Sequence, residues 1–242
     1  MSKFNFTAII LCLLMQLICI SSSLAQNELD TILLEFEIQF ENELLQLDSI
    51  YVYKGETLVF TNLKFYISKL SLKKQNEVVW EELDSYHLMD FTEEGKMKSY
   101  LIMPSSLQFD EMALQLGTDS VTNVSGVMGG DLDPMKGMYW AWNTGYINFK
   151  LEGNSSLCPT RKNEFQFHLG GYRAPYQTVQ NIQLKIDQEK VKSDSHILVK
   201  IDLFHFFEQI DLSQQHSFMS PGSDVQVLSE LISTLFFCDE KK

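Results

Sequence analysis

Strict alternation of apolar and polar side chains constrains this chain more than any other feature. Leu34, Phe36, Ile38 and Phe40 alternate with Glu35, Glu37, Gln39 and Glu41. Further on, Ile147, Phe149 and Leu151 alternate with Asn148, Lys150 and Glu152, and Phe165, Phe167 and Leu169 with Glu164, Gln166 and His168. A helix would scatter such residues around its surface, whereas a strand gathers them on one face and leaves the other wet. Ser49 to Phe60 reads as a hairpin turning at Lys54-Gly55-Glu56. From Leu63 to Leu72 the apolar residues move from odd to even positions, which predicts a bulge or a strand that passes between sheets. Val78–Trp80, Tyr86–Phe91, Met112–Leu116, Ile182–Ile186 and Ile197–Leu203 are further strands. Helical spacing is clear once, in Val225, Leu228, Leu231, Ile232 and Leu235, with Ser223 or a neighbour placed to cap it. The expected fold is therefore all-β, an antiparallel β-sandwich with a short C-terminal helix closing one end.

The start of the chain is expected to lie outside that fold. Residues 1–25 carry one cation, Lys3, then an apolar run from Ala8 to Ile20 and small residues at Ser23 and Ala25, the pattern of a signal peptide cleaved near Ala25. The run is too short for a comfortable membrane span, and bulky Ile18 before Cys19 argues against a lipid-anchored cysteine. The expectation is a periplasmic or secreted protein with one domain over 26–242. A net charge of −13, one unit more acidic without Lys3, argues against nucleic acid and anionic membrane as partners. Cys158 and Cys238 remain beyond the leader, and an even pair in an oxidising compartment suggests a disulfide, with ~4 kcal/mol from loop closure. Alternatively, a free Cys158 offers a soft ligand. Asn123-Val124-Ser125 and Asn154-Ser155-Ser156 fit the glycosylation pattern.

One stretch departs from generic sheet composition. Gly129 to Gly153, GGDLDPMKGMYWAWNTGYINFKLEG, holds two methionines, two tryptophans, two tyrosines and five glycines. Asp133-Pro134 sets a turn and Gly137 permits positive φ. On a strand, Met138, Trp140 and Trp142 would share a face, and Asn143-Thr144-Gly145 would form a short loop with Gly145 in the left-handed conformation. A methionine beside two indoles suits a core wall, an aromatic binding platform or a soft-metal pocket. His168 lies opposite the apolar set of its strand, just before Gly170-Gly171, a pair that lets a backbone or ligand come close. His216 and Met219 form a second pair of donors in a later loop. His87 and His205 read as edge or core histidines, and Asp131 with Asp133 as turn formers, being too few for calcium. There is no nucleophile elbow, phosphate loop, HExxH or CxxC, so the chain is expected to be no enzyme.

The run from Gly137 to Tyr146, GMYWAWNTGY, preceded by Asp131-Leu132-Asp133-Pro134 and followed by Lys150-Leu151-Glu152-Gly153, resembles the MbnP-like copper-binding family of secreted bacterial proteins. Leu63 to Ser68, Phe167 to Tyr172 and Met219 to Gly222 match the same family in order along the chain. The resemblance implies an exported all-β domain that binds copper through histidine and a tryptophan opened to kynurenine. The opening is the work of a di-haem partner of the MauG and cytochrome c peroxidase type. Trp140 and Trp142 fall on the aromatic motif and His168 on the histidine strand; Trp140 is the preferred site of modification. Met138 and Met135 are soft ligands or packing partners, and His216 completes the candidate set. The alternative is a metal-free adhesion or ligand-binding module that uses Trp140 and Trp142 as a platform.

Overall fold

The structure is a computed structural model and describes residues 28–83, 85–93 and 95–238. The expected signal segment lies outside them. Fifteen strands are described: β1 (Leu29–Phe40), β2 (Glu43–Leu44), β3 (Ile50–Tyr53), β4 (Glu56–Lys74), β5 (Glu77–Glu81), β6 (Tyr86–Asp90), β7 (Lys98–Pro104), β8 (Glu111–Leu116), β9 (Tyr139–Trp140), β10 (Gly145–Ser155), β11 (Glu164–Gly170), β12 (Gln180–Lys185), β13 (His196–Asp202), β14 (Ser217–Phe218) and β15 (Phe236–Phe237).

Two sheets make the expected sandwich. The smaller has five strands, in the order β15-β13-β1-β2 with β7 also on β1; the larger has ten, along β12-β8-β4-β10-β11-β14. Most pairings are antiparallel, but β1 runs parallel to β13, matching Leu34 with Ile197, and β11 runs parallel to β14. The alternating residues of β1 and β11 behave as their period demands: Leu34, Phe36, Ile38 and Phe40 join Phe165, Phe167 and Leu169 in one buried core between the sheets. That core is stitched by edge-to-face rings, among them Phe40 against Phe60 at 5.3 Å and Phe60 against Phe207 at 5.4 Å.

The phase switch in β4 is a bulge. Its register against β8 shifts between Ser68 and Ser71, and Lys69 sits at φ 50° with its side chain in solvent. One residue leaves the pleat there, so Leu63, Phe65 and Ile67 before it and Leu70 and Leu72 after it all reach the same core.

The helix expected near the C-terminus spans Ser223–Ser233, with Val225, Leu228 and Ile232 buried. Three short helices were not expected. Ser120–Val124 replaces a polar connection, Gln188–Asp194 a charged turn, and Leu203–Gln209 an aromatic run. Each starts where an aspartate, Asp119, Asp187 or Asp202, accepts backbone N–H groups of the first turn. Two turns are too few for apolar spacing to betray them.

The expected disulfide is absent: Cys158 is buried in the main core as a thiol and is not joined to Cys238. Burial pushes the Cys158 thiol up to about 11, against the weaker opposing pull of a backbone hydrogen bond at Ser155. Asn123 is also removed from its expected role. It is buried, and its amide donates to Thr118 and Asp119 carbonyls at 3.2 and 2.8 Å, so no glycan fits there in the folded protein.

Candidate functional site

The ten-stranded sheet carries a second, smaller core on its outer face, formed by Tyr66, Leu88, Leu132, Met138, Trp140, Tyr146 and Ile147. Two local irregularities create it. Tyr66 points outward between Phe65 and Ile67, and the register of β10 on β11 shifts between Ile147 and Phe149, so neighbouring residues of β10 serve different cores. Asn148, at the shift, is buried and bonded to Thr118 and Thr178.

Residues 129–140 form the cover of this outer core. Gly130–Leu132 and Pro134–Lys136 are single 3₁₀ turns. As expected, Asp133 accepts from Met135 N at 2.9 Å to begin the second turn, and Gly137, at φ 75°, ends it. The cover is pinned from below by phenols: Tyr66 donates to the Asp131 carbonyl at 2.9 Å and Tyr146 to that of Leu132 at 3.0 Å. Burial raises both phenols above the ordinary tyrosine range, so they stay protonated donors. The Asp131 carboxylate bridges Leu88 N and Lys136 Nζ at 3.1 and 2.6 Å. Its role is structural, as its turn position suggested.

Trp140 ends the cover over β11. A Cβ added to Gly170 would lie 2.9 Å from the Trp140 ring and 2.7 Å from the Tyr146 carbonyl, so only glycine admits the indole so close to the strand. Gly171 likewise leaves room for the Tyr176 carbonyl. His168 stands two residues before Gly170, on the same face. Trp140 is 5 % exposed, and its Nε1 is buried without a hydrogen-bond partner among the described residues.

His168 is itself 6 % exposed and is held by Glu152 on β10, Nε2 to Oε1 at 2.6 Å. The other Glu152 oxygen accepts from Asn62 Nδ2 at 2.8 Å, and Lys150 Nζ lies 3.6 Å from Oε1. Burial would raise the Glu152 carboxyl, but the bonds from His168 and Asn62 and the charge of Lys150 outweigh it and hold it at about 2. Lys150 also donates to the Gly137 carbonyl at 3.2 Å, tying the cover to the polar row beside His168.

The structure therefore brings together part of the expected residue set. Met138 is fully buried in the outer core with Trp140. The two-residue β9 is too short to keep Trp142 on the same wall: its ring is 5.6 Å from that of Trp140 but 66 % exposed. Met135, 90 % exposed, sits in the middle of the Pro134–Lys136 turn, in solvent. His216 lies at the other end of β11, where its carbonyl accepts from Gln166 N and its Nδ1 meets the Leu212 carbonyl at 3.1 Å. Four residues of strand, about 13 Å, separate Gln166 from Gly170. No group of three or more His, Cys, Asp or Glu side chains is arranged to hold a metal among the described residues.

A family model described as MbnP matches residues 30–221. The chain belongs to the MbnP family. Among solved structures it is similar to MbnP from Methylosinus trichosporium, at 14 % identity and a TM-score of 0.54, over 81 % of this chain and 82 % of that one. At that identity the likeness speaks for the shared MbnP fold. No curated protein matches the chain. On this MbnP scaffold the residues that sequence reasoning missed are Glu152, Lys150 and Asn62. Lys150 and Glu152 looked like the wet side of an ordinary strand, Asn62 fell between two expected strands, and only the register of β4, β10 and β11 sets them near His168.

Proposed function

We propose that this MbnP-family chain is an exported, non-enzymatic protein that sequesters or delivers Cu(I), with His168 and Trp140 at the centre of its site. The observation that carries the reading is the seating of Trp140 on Gly170, two residues along the same strand face from His168, with its indole nitrogen buried and unpartnered among the described residues. A buried donor without an acceptor costs about 1–3 kcal/mol, which a merely structural tryptophan would avoid. Imidazole and thioether donors suit Cu(I), and an aromatic wall would limit its reaction with oxygen. An intact indole nitrogen is a donor only. Opening of Trp140 to kynurenine by a di-haem partner enzyme would supply an arylamine nitrogen and a carbonyl oxygen in its place. Of the other expected donors, Met138 shares the outer core with Trp140, whereas His216 sits at the other end of β11 and Met135 in solvent.

The test is an anaerobic Cu(I) competition titration on protein purified from its native host, with mass analysis of the peptide bearing Trp140. Stoichiometric binding, lost in His168→Ala and in Trp140→Phe, is expected. Binding no tighter than that of an unrelated acidic protein would overturn the reading.

A second reading has its own observation. The expected platform of two exposed tryptophans does not form, because Trp140 is buried; Trp142 alone is exposed, and its chain neighbour Asn143 lines a cavity of about 300 Å³ with Tyr172, Arg173, Tyr176 and Pro221. That surface suits a planar or glycan ligand, and Trp142→Ala would abolish such binding while leaving Cu(I) affinity unchanged.

A further inference from the structure

Glu152 meets His168 Nε2 at 2.6 Å through Oε1 and accepts from Asn62 Nδ2 at 2.8 Å through Oε2. An ionised carboxylate is an acceptor only, and with Lys150 Nζ 3.6 Å away and an amide donating to its second oxygen this one sits among donors, so the hydrogen in the short contact belongs to the imidazole. Nε2 therefore bears hydrogen whether the ring is neutral or charged. Turning the ring over would set carbon against Glu152 and forfeit the bond. Nδ1 has no hydrogen-bond partner among the described residues. Lys150, in register with His168 across the strands, is 14 % exposed and places its ammonium 3.6 Å from the same Glu152 oxygen.

We propose that Glu152 is a positioning residue that fixes His168 as the Nε2–H tautomer and makes Nδ1 the one ring nitrogen able to ligate a metal. Ligation by copper rests on the copper reading above; the tautomer is a property of the metal-free protein and stands apart from it. Histidines that bind metals are commonly oriented in this way by a carboxylate on the far nitrogen, and loss of such a partner weakens metal binding roughly 10- to 100-fold. Asn62 adds a further element, because its buried Oδ1 has no partner. If Glu152 became glutamine, Asn62 could turn its amide to accept from the new one, leaving the glutamine oxygen facing Nε2.

The experiment is ¹H–¹⁵N correlation of the histidine rings in metal-free protein at mildly alkaline pH, with His168 assigned by its absence in His168→Ala. The expected result is the Nε2–H pattern for His168 in wild type and in Glu152→Gln, and a mixture of tautomers in Glu152→Ala. An Nδ1–H pattern in wild type overturns the proposal, even if the alanine variant does not fold; an unchanged pattern in a folded Glu152→Ala also overturns it. Cu(I) is then added to native-host protein. A movement larger at Nδ1 than at Nε2, with the Nε2 proton kept, supports ligation there, and loss of the Nε2 proton with the larger movement at Nε2 overturns it. If neither moves, the copper reading falls and ligation with it, while the tautomer is decided by the metal-free spectrum.

Discussion

Thr144 sits at φ 44° in the exposed turn between β9 and β10, a left-handed conformation that a β-branched side chain resists. Sequence reasoning had assigned that conformation to Gly145, one residue late. Gly145 is instead buried where an added Cβ would meet Tyr172 and Asn123 at 3.2 and 3.3 Å. The glycine answers a close approach, and Thr144 carries the strain. Thr144→Gly or Thr144→Asn is expected to stabilise the protein by about 1 kcal/mol, measured as a shift in the denaturation midpoint. No gain with either variant would show that the threonine is held without strain. The same misplacement explains why Trp142 was expected beside Met138. Apolar residues continue to alternate past Trp140 in the sequence, but the chain leaves the strand there, and nothing in the residue types announces it.

At the scale of elements, β11 and the cover over it are a matched pair. The Gly170-Gly171 signal was legible, and so was the turn at Asp133 to Gly137; which partner comes close to the glycines was not, because Trp140 lies thirty residues away in the chain. Gly170→Ala would push a methyl into the Trp140 ring and the Tyr146 carbonyl at 2.9 and 2.7 Å. Overpacking of this kind costs about 1–3 kcal/mol. The expected outcome is a destabilised protein with a shifted tryptophan fluorescence spectrum and, on the copper reading proposed above, weakened Cu(I) binding. Unchanged fluorescence would mean that the indole does not rest on the strand as described. The strands themselves were readable because period two survives on one wet face. The Glu152–His168 pair was not, because it depends on which strands became neighbours and in what register, and alternation within a strand carries no record of that.

Across the whole molecule, the acidic composition conceals a set of carboxylates that hold the outer face together. Asp90 on β6, Asp119 at the cap of a short helix, Asp131 in the cover and Glu152 on β10 all have their pKa lowered. In each, burial works the other way and is outweighed: by Lys64 and Thr92 at Asp90, Thr122 and Lys69 at Asp119, Lys136 and Leu88 N at Asp131, and His168, Asn62 and Lys150 at Glu152. A carboxylate whose folded pKa is depressed stabilises the fold above its unfolded pKa, and that contribution is lost as pH falls through the folded value. For Glu152 the window runs from 4.5 down to about 2, and the contribution at neutral pH is of the order of 3 kcal/mol. Thermal unfolding followed from pH 7 downward should show stability falling through this window as the cover and the polar row under it lose their ties. Glu152→Gln should be less stable than wild type at pH 7 and should lose less on acidification, so that the two curves converge near pH 2. Parallel curves would place the acid sensitivity in the other three carboxylates and remove Glu152 from the account of how the outer face is held.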